Sequence, residues 1–385
     1  MLSEKILQFS SYVFYKLLFI NYFILIILSL IFSIGIALLY SAAGGSMDPW
    51  ASKQLIRFII SIILYLTVSI ISIKFWLGTS YYIYIISLIL LISVNYFGNT
   101  GLGAQRWINL GFFNLQPSEL MKFAILLSLA KYFHAERDLS FWNNIKNFII
   151  PLFLILIPAY VIFIQPDLGS SLILLMASLT ILFVIGLSIW FFVFSCIISL
   201  IMAPFAWLYL LYDYQKDRIL TFLDPLRDPL GAGYHIIQSK IALGSGGLFG
   251  KGFLNGSQSH LNFLPEMQTD FIFTLLAEEF GIFGSLILLS LFIVLIIYTM
   301  IISFICKSRF ACFIVIGVAI NIFFYVFINT AMVTGLIPVV GVPLPLVSYG
   351  GTSMMCVMFG MGLVSNAYLN RNIIIPRYKD GLFGW

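Results

Sequence analysis

Apolar runs of about 17–25 residues, each long enough to cross a ~30 Å bilayer core as a helix, recur along the whole chain between short polar turns. Ten stand out: Leu17 to Tyr40, Leu55 to Ile73, Tyr81 to Phe97, Pro117 to Phe133, Phe148 to Ile164, Ser170 to Leu187, Trp190 to Tyr212, Phe271 to Ile302, Phe310 to Val333, and Gly351 to Leu369. They predict an all-α polytopic membrane protein with about ten transmembrane helices. The first run is too long for the apolar part of a signal peptide and ends in SAAGG, so it reads as a span. Between the seventh and eighth runs, Asp213 to Asp270 is polar and rich in Gly, Pro and Asp, and reads as an ordered cap. No repeat or linker divides the chain, so residues 1–385 are expected to form one transmembrane domain.

Charge orients this frame. Lys5, Lys16, Lys74, Lys131, Arg137, Lys146, Lys307, Arg309, Arg371, Arg377 and Lys379 fall on one side, whereas the short loops opposite hold only Lys53, Arg57 and Arg106. The positive-inside rule then places both termini in the cytoplasm and 213–270 outside. Apart from Glu4, Glu136, Asp138 and Asp380, every acid lies in an outer loop or near the outer end of a span, so the working face is expected to be the outer one.

Composition adds exclusions. The chain is 61% hydrophobic and only 9% charged, far from a soluble globule. Its net charge of +5 comes from scattered Lys and Arg without a basic stripe, which argues against nucleic acid as a partner. Cys196, Cys306, Cys312 and Cys356 all avoid the long outer segment, so no disulfide is expected.

In so apolar a chain an acid at the membrane edge is a candidate for chemistry, because a charge at bilayer depth costs ~2.5–3.5 kcal/mol on insertion scales. His260 to Phe273, HLNFLPEMQTDFIF, sets Glu266 and Asp270 at the mouth of the eighth span. Asp270 is the first candidate; its plain structural role would be the helix N-cap. Glu278 lies about 12 Å deeper and roughly 80° around the helix, so it forms no dyad with Asp270.

Four other segments contribute. In GAQRWINLGFFNLQPSELMKF, Pro117 opens a helix and Glu119 takes its third position, where a carboxylate caps free amides; Lys122 shares its face and could pair with it. Arg106 and Trp107 precede them in an outer loop, as substrate contacts or as interface anchors. In QPDLGSS, Asp167 is either the cap of the next helix or a metal or substrate-hydroxyl contact facing the same cavity as Asp270. The glycine-rich stretch from Gly244 to Gly252 lacks the Walker pattern; its Lys251 reads as a solvated side chain, and Lys240 as either that or a phosphate contact. Finally, GLIPVVGVPLPLVSYGGTS breaks helix with Pro338, Pro343 and Pro345; irregular backbone at that depth walls a cavity, with Ser348 as a candidate substrate contact.

Together these blocks resemble the SEDS family of cell-wall synthases (shape, elongation, division and sporulation), and DPLGAGYHIIQSKIALGSGG with VVGVPLPLVSYGG is most similar to its elongation branch. The resemblance runs from Gly103 to Asn370. It implies a peptidoglycan glycosyltransferase that polymerises lipid II at the outer face of the cytoplasmic (inner) membrane. The implied partners are a class B penicillin-binding protein and other elongation-complex membrane proteins. The family's essential acid falls on Asp270, and its QPSE motif falls on Glu119 with Lys122 a turn later; Glu266 and Asp167 also match. Met267 and Gln268 stand where relatives often carry charged residues or His. Relatives further suggest a divalent cation, Mg²⁺ or Mn²⁺, with Asp270 and Glu119 as candidate ligands.

On this expectation Asp270 removes the proton of an acceptor sugar hydroxyl, and Lys122, Arg106 and Lys240 meet the departing diphosphate. A lipid II flippase is the rival from another class and would need essential acids on both sides of the bilayer. A division-specific polymerase of the same family is a second rival. A non-catalytic scaffold is a third, and it would tolerate Asp270→Ala.

Overall fold

The computed structural model describes residues 14–101, 104–109, 111, 114–135, 146–211, 213–227, 232–257 and 266–376. The expected positions of the two termini, with Lys5, Arg377 and Lys379, lie outside the described residues, as do Glu136, Arg137, Asp138 and His260.

Each predicted span has its helix. They are α1 (Tyr22–Ala42), α2 (Ala51–Ile70), α3 (Ile73–Phe97), α4 (Pro117–Ala135), α5 (Lys146–Ile164), α6 (Leu168–Ile185), α7 (Ile189–Phe205), α10 (Ile272–Ile305), α11 (Arg309–Val333) and α12 (Gly351–Leu369). Among the described residues, 7 of these helices are long and apolar enough to cross a membrane by composition alone. The most telling of the others is α4, which carries buried Ser118, Glu119, Lys122 and His134 and is buried along nearly its whole length. It can be polar because protein, not lipid, surrounds it. At the other extreme, α7 has no buried residue and lies at the periphery.

The boundaries differ from expectation where polar residues were taken for loops. α3 begins at Ile73, not Tyr81, because the Ser72 hydroxyl accepts from the Phe75 amide at 3.3 Å and starts the helix at once. Lys74 is an exposed residue of its first turn. The long segment contains α8 (Asp213–Leu223), a 3₁₀ turn (Pro225–Arg227) and α9 (Ala232–Ser245). The fold is also not purely helical: β1 (Asn99–Gly101), β2 (Ala104–Asn109) and β3 (Asn114–Leu115) form a small antiparallel sheet in the order β1-β2-β3. Short paired strands are the economical way to satisfy backbone between α3 and α4 at the membrane edge.

The core is made chiefly by α4, α11 and α12, the most heavily buried elements. Lys16, Lys131 and Lys307 gather at one end, where the Lys16 ammonium donates to Ile70 O at 2.8 Å, Lys131 to Gly78 O at 3.1 Å, and the Lys307 amide to Arg371 O at 2.9 Å. The sheet, the turn before α10 and the 335–350 loop gather at the opposite end.

Candidate active site

The chain enters α10 through a turn in which the Thr269 amide donates to Glu266 O at 3.1 Å. Phe271 occupies the N-cap position with no side-chain bond, so Asp270 is not the helix cap. Its carboxylate is free of that duty. The backbone around it is pinned by the proline-broken loop: Ser348 Oγ donates to Thr269 O at 2.5 Å and accepts the Leu344 amide at 2.8 Å, while the Tyr349 amide donates to Gln268 O at 2.8 Å. From α11, the Asn329 amide group donates to Asp270 O at 2.9 Å and to Val342 O at 2.7 Å. Gly341 has φ +72°, and a Cβ added there would stand 3.3 Å from Asp270 Oδ2, so the loop passes close by the carboxylate.

Four charged groups from different elements surround Asp270: Glu266 in the same turn, Arg218 on α8, Arg106 on β2 and Asp167 before α6. Burial, then Glu266, push its pKa up from 3.8 to about 7; Arg218 and Arg106 oppose the shift and Asp167 adds to it. Even so, part of the residue remains accessible. Among the described residues no Lys or Arg closes an ion pair on it.

Asp167 is the cap of α6. Its Oδ1 accepts the Ser170 amide at 3.3 Å as the cap of α6, its Oδ2 accepts Gln116 Nε2 at 3.2 Å, and Arg106 Nη1 stands 3.8 Å away. Arg106 also donates to Pro166 O. Arg218 Nη1 donates to Val339 O at 3.3 Å, tying α8 to the loop that carries Gly341.

Glu119 is not a cap. One carboxylate oxygen accepts Lys122 Nζ at 2.7 Å and the other accepts the Tyr325 hydroxyl. Lys122 Nζ sits 4.2 Å over the Tyr325 ring, and all three residues are almost wholly buried. An ammonium at that depth needs both a carboxylate and a ring face, which explains why the pair outcompetes capping.

The remaining candidates are placed as follows. Trp107 is paired with Asn99 in the sheet and is partly buried. Lys240, exposed on α9, packs its chain over Gly335 at the far end of the same 335–350 loop. Ser348 is buried, and its hydroxyl is occupied by the backbone bonds above. Lys251 departs from the solvated role expected of it: its ammonium meets the buried Glu278 carboxylate at 2.7 Å and Ser257 Oγ at 2.6 Å. Gly281 explains that arrangement, because its φ of 66° breaks α10, and the backbone of Gly247 to Gly252 pairs with that of Glu278, Glu279, Ile282 and Phe283.

Among the described residues no group of three His, Cys, Asp or Glu is placed to hold a metal ion, and both oxygens of Glu119 are already engaged. Asp270 stands alone among the expected ligands, with two guanidinium groups in its field.

Sequence reasoning missed Arg218, Tyr325 and Asn329. Arg218 sits in the mixed-charge string DYQKDR, where nothing marks one cation over another. Tyr325 and Asn329 did carry a signal: with Asn321 they recur every four residues in a mostly apolar span, which puts them on one face.

The family model for FtsW, RodA and SpoVE, described as cell cycle protein, matches residues 15–373. The chain is 42% identical over 338 residues to the peptidoglycan glycosyltransferase MrdB of Escherichia coli (strain K12), covering 88% of this chain and 90% of that protein. Its fold is similar to a chain of a solved peptidoglycan synthase complex that coordinates polymerization and crosslinking, with a TM-score of 0.78 and 29% identity over 92% of this chain and 98% of that one. It is also similar to the rod shape determining protein RodA of Thermus thermophilus, with a TM-score of 0.68 and 27% identity over 92% and 98% of the two chains.

Proposed function

Since the chain belongs to the FtsW, RodA and SpoVE family and is a multi-pass membrane peptidoglycan glycosyltransferase, we propose that Asp270 is the base of lipid II polymerisation in lateral wall elongation. The observation that carries this is that Asp270, partly accessible and, among the described residues, outside any cap or ion pair, has its pKa raised to about 7. A base poised near the working pH is both deprotonated often enough and basic enough to matter, an effect typically worth ~10²–10⁴-fold.

In the proposed step the acceptor hydroxyl loses its proton to Asp270 as its oxygen bonds the anomeric carbon of the donor sugar. The bond from that carbon to the undecaprenyl diphosphate breaks, and the negative charge leaves with the diphosphate. Arg106 and Arg218 are the cations nearest to receive it, with Lys240 at the far end of the 335–350 loop. Lys122 is buried and held by Glu119, so we assign that pair to the wall of the site rather than to first contact with the diphosphate. Trp107, Asp167 and Glu266 complete the polar surround, and Ser348 shapes it through the backbone. A divalent cation, Mg²⁺ or Mn²⁺, is proposed to arrive on the diphosphate rather than to reside in a protein cage.

We place the reaction at the outer face of the cytoplasmic membrane, supported by the gathering of Lys16, Lys131 and Lys307 at the end away from Asp270. A class B penicillin-binding protein is the proposed partner, supported by the likeness to a synthase complex that joins polymerization to crosslinking. Purified Asp270→Asn, with its partner, should make no glycan strands from lipid II while folding and pairing normally; strands at the parental rate would overturn the assignment.

A further inference from the structure

α11 carries two polar side chains, Tyr325 and Asn329, whose bonds reach the two halves of the proposed site. Tyr325 donates its hydroxyl to Glu119 and offers its ring to Lys122 Nζ at 4.2 Å, so one side chain holds both members of the buried pair. Asn329 donates to the backbone carbonyl of Asp270 at 2.9 Å and to that of Val342 at 2.7 Å, next to Gly341, where an added Cβ would stand 3.3 Å from the Asp270 carboxylate. Four residues of α-helix rise ~6 Å and return to nearly the same face. α11 is helical without interruption from Arg309 to Val333.

We propose that Tyr325 and Asn329 are positioning residues for glycosyl transfer, and that α11 is the rigid ruler setting the place of Asp270 relative to the Glu119–Lys122 pair. The inference rests on the assignment of these three groups to the site. Neither α11 residue touches substrate; each acts through the group it holds. Apolar packing would serve helix association as well here. A hydroxyl aimed at a carboxylate that already has its ammonium adds direction rather than bulk, and the Asn329 amide spans two backbone carbonyls that belong to the two segments meeting at Asp270. Small misplacements of catalytic groups are costly, up to about 10²-fold for a shift near 1 Å, so a ruler of this kind is worth retaining in a membrane interior.

The test uses the full chain with its partner and measures initial rates of strand formation against lipid II concentration, together with thermal stability. Tyr325→Phe keeps the ring under Lys122 and removes only the hydroxyl; Tyr325→Leu removes both; Asn329→Ser shortens the second tie. Expected are kcat losses of about tenfold for Tyr325→Phe and Asn329→Ser, more for Tyr325→Leu, with KM little changed. Adding Tyr325→Phe to Glu119→Gln should cost nothing further. Parental kcat in both Tyr325→Phe and Asn329→Ser, with or without lowered stability, would overturn the ruler while leaving the site standing if Glu119→Gln is impaired. Parental kcat in Glu119→Gln instead overturns the site assignment itself. Should Tyr325→Phe fail to fold, kcat of Asn329→Ser decides.

Discussion

Two carboxylates, Asp270 in the turn before α10 and Glu278 about two turns into it, have opposite fates. Glu278 is fully buried, meets the Lys251 ammonium at 2.7 Å, and is flanked by Ser257 and the glycine-rich backbone that fills the break at Gly281. Asp270, at the helix mouth, stays partly open, with charges of both signs around it and no described cation in contact. The closed acid is what a fold makes of a charge it must keep. The open acid is left with its proton affinity raised, a state that contributes nothing to stability and is suited to moving a proton.

The sharpest way to break this contrast is to neutralise each acid in turn. Asp270→Asn should lower polymerisation by at least ~10²-fold. It should not lower thermal stability above neutral pH. The sign follows from linkage: the folded chain holds this proton up to about pH 7 and the unfolded chain only to about 3.8, so Asp270 subtracts stability as pH rises through that window. A neutral amide of the same shape escapes the penalty. A variant both inactive and unstable at pH 8 would place Asp270 with Glu278 as a structural acid.

Next in size is Lys251→Met, which strands Glu278 without its ammonium. Removing one partner of a buried pair costs about 3–5 kcal/mol, and the melting temperature should fall accordingly. Strand synthesis per folded molecule should stay near parental, because the pair stands two turns from Asp270 along α10. Lost turnover with unchanged melting would instead make Lys251 part of the chemistry.

How far the sequence foretold this contrast differs from place to place. Hydrophobic run length was enough to find α1 through α7 and α10 through α12, because bilayer thickness dictates it. It misjudged where α3 begins, since a single capping serine decided the boundary. The acids Asp167, Glu266 and Asp270 were visible as charges with no apolar excuse, and the structure brings them together from separate elements. Partners reached across the bundle were not visible. Nothing local to Glu119 announces Tyr325, some two hundred positions on, and nothing in GLFGKG announces that Lys251 will find Glu278. Spacing within a helix can be counted, whereas pairing between helices is set by packing of the whole bundle.

A smaller effect tunes the open acid instead of removing it. The rate should rise with pH through about 7 and level off above, because only the deprotonated carboxylate accepts a proton. Glu266→Gln removes the neighbour that most raises Asp270 after burial, so the rising limb should move to lower pH. Arg218→Ala and Arg106→Ala remove opposing cations and should move it up, with Arg106→Ala also releasing its hold on Pro166 and Asp167. Rate profiles of the three variants against pH check the signs. A limb that ignores Glu266→Gln would mean that another group titrates.

The gentlest probe is Gly341→Ala. Its φ of +72° lies where an L residue is strained by ~1 kcal/mol or so, and the added methyl would press at 3.3 Å on Asp270 Oδ2. Strain alone would lower the melting temperature slightly and leave kcat untouched. Contact of the added methyl with the carboxylate would lower kcat as well, because the loop or the proposed base must then give way. Gly44, with φ +69° between α1 and α2 and no atom within 4 Å of an added Cβ, is the matched control. Gly44→Ala should carry similar strain without touching the site, so a kcat loss confined to Gly341→Ala, by strand assay at saturating lipid II, is the expected outcome. Equal losses in both would trace the effect to backbone strain rather than to contact with Asp270.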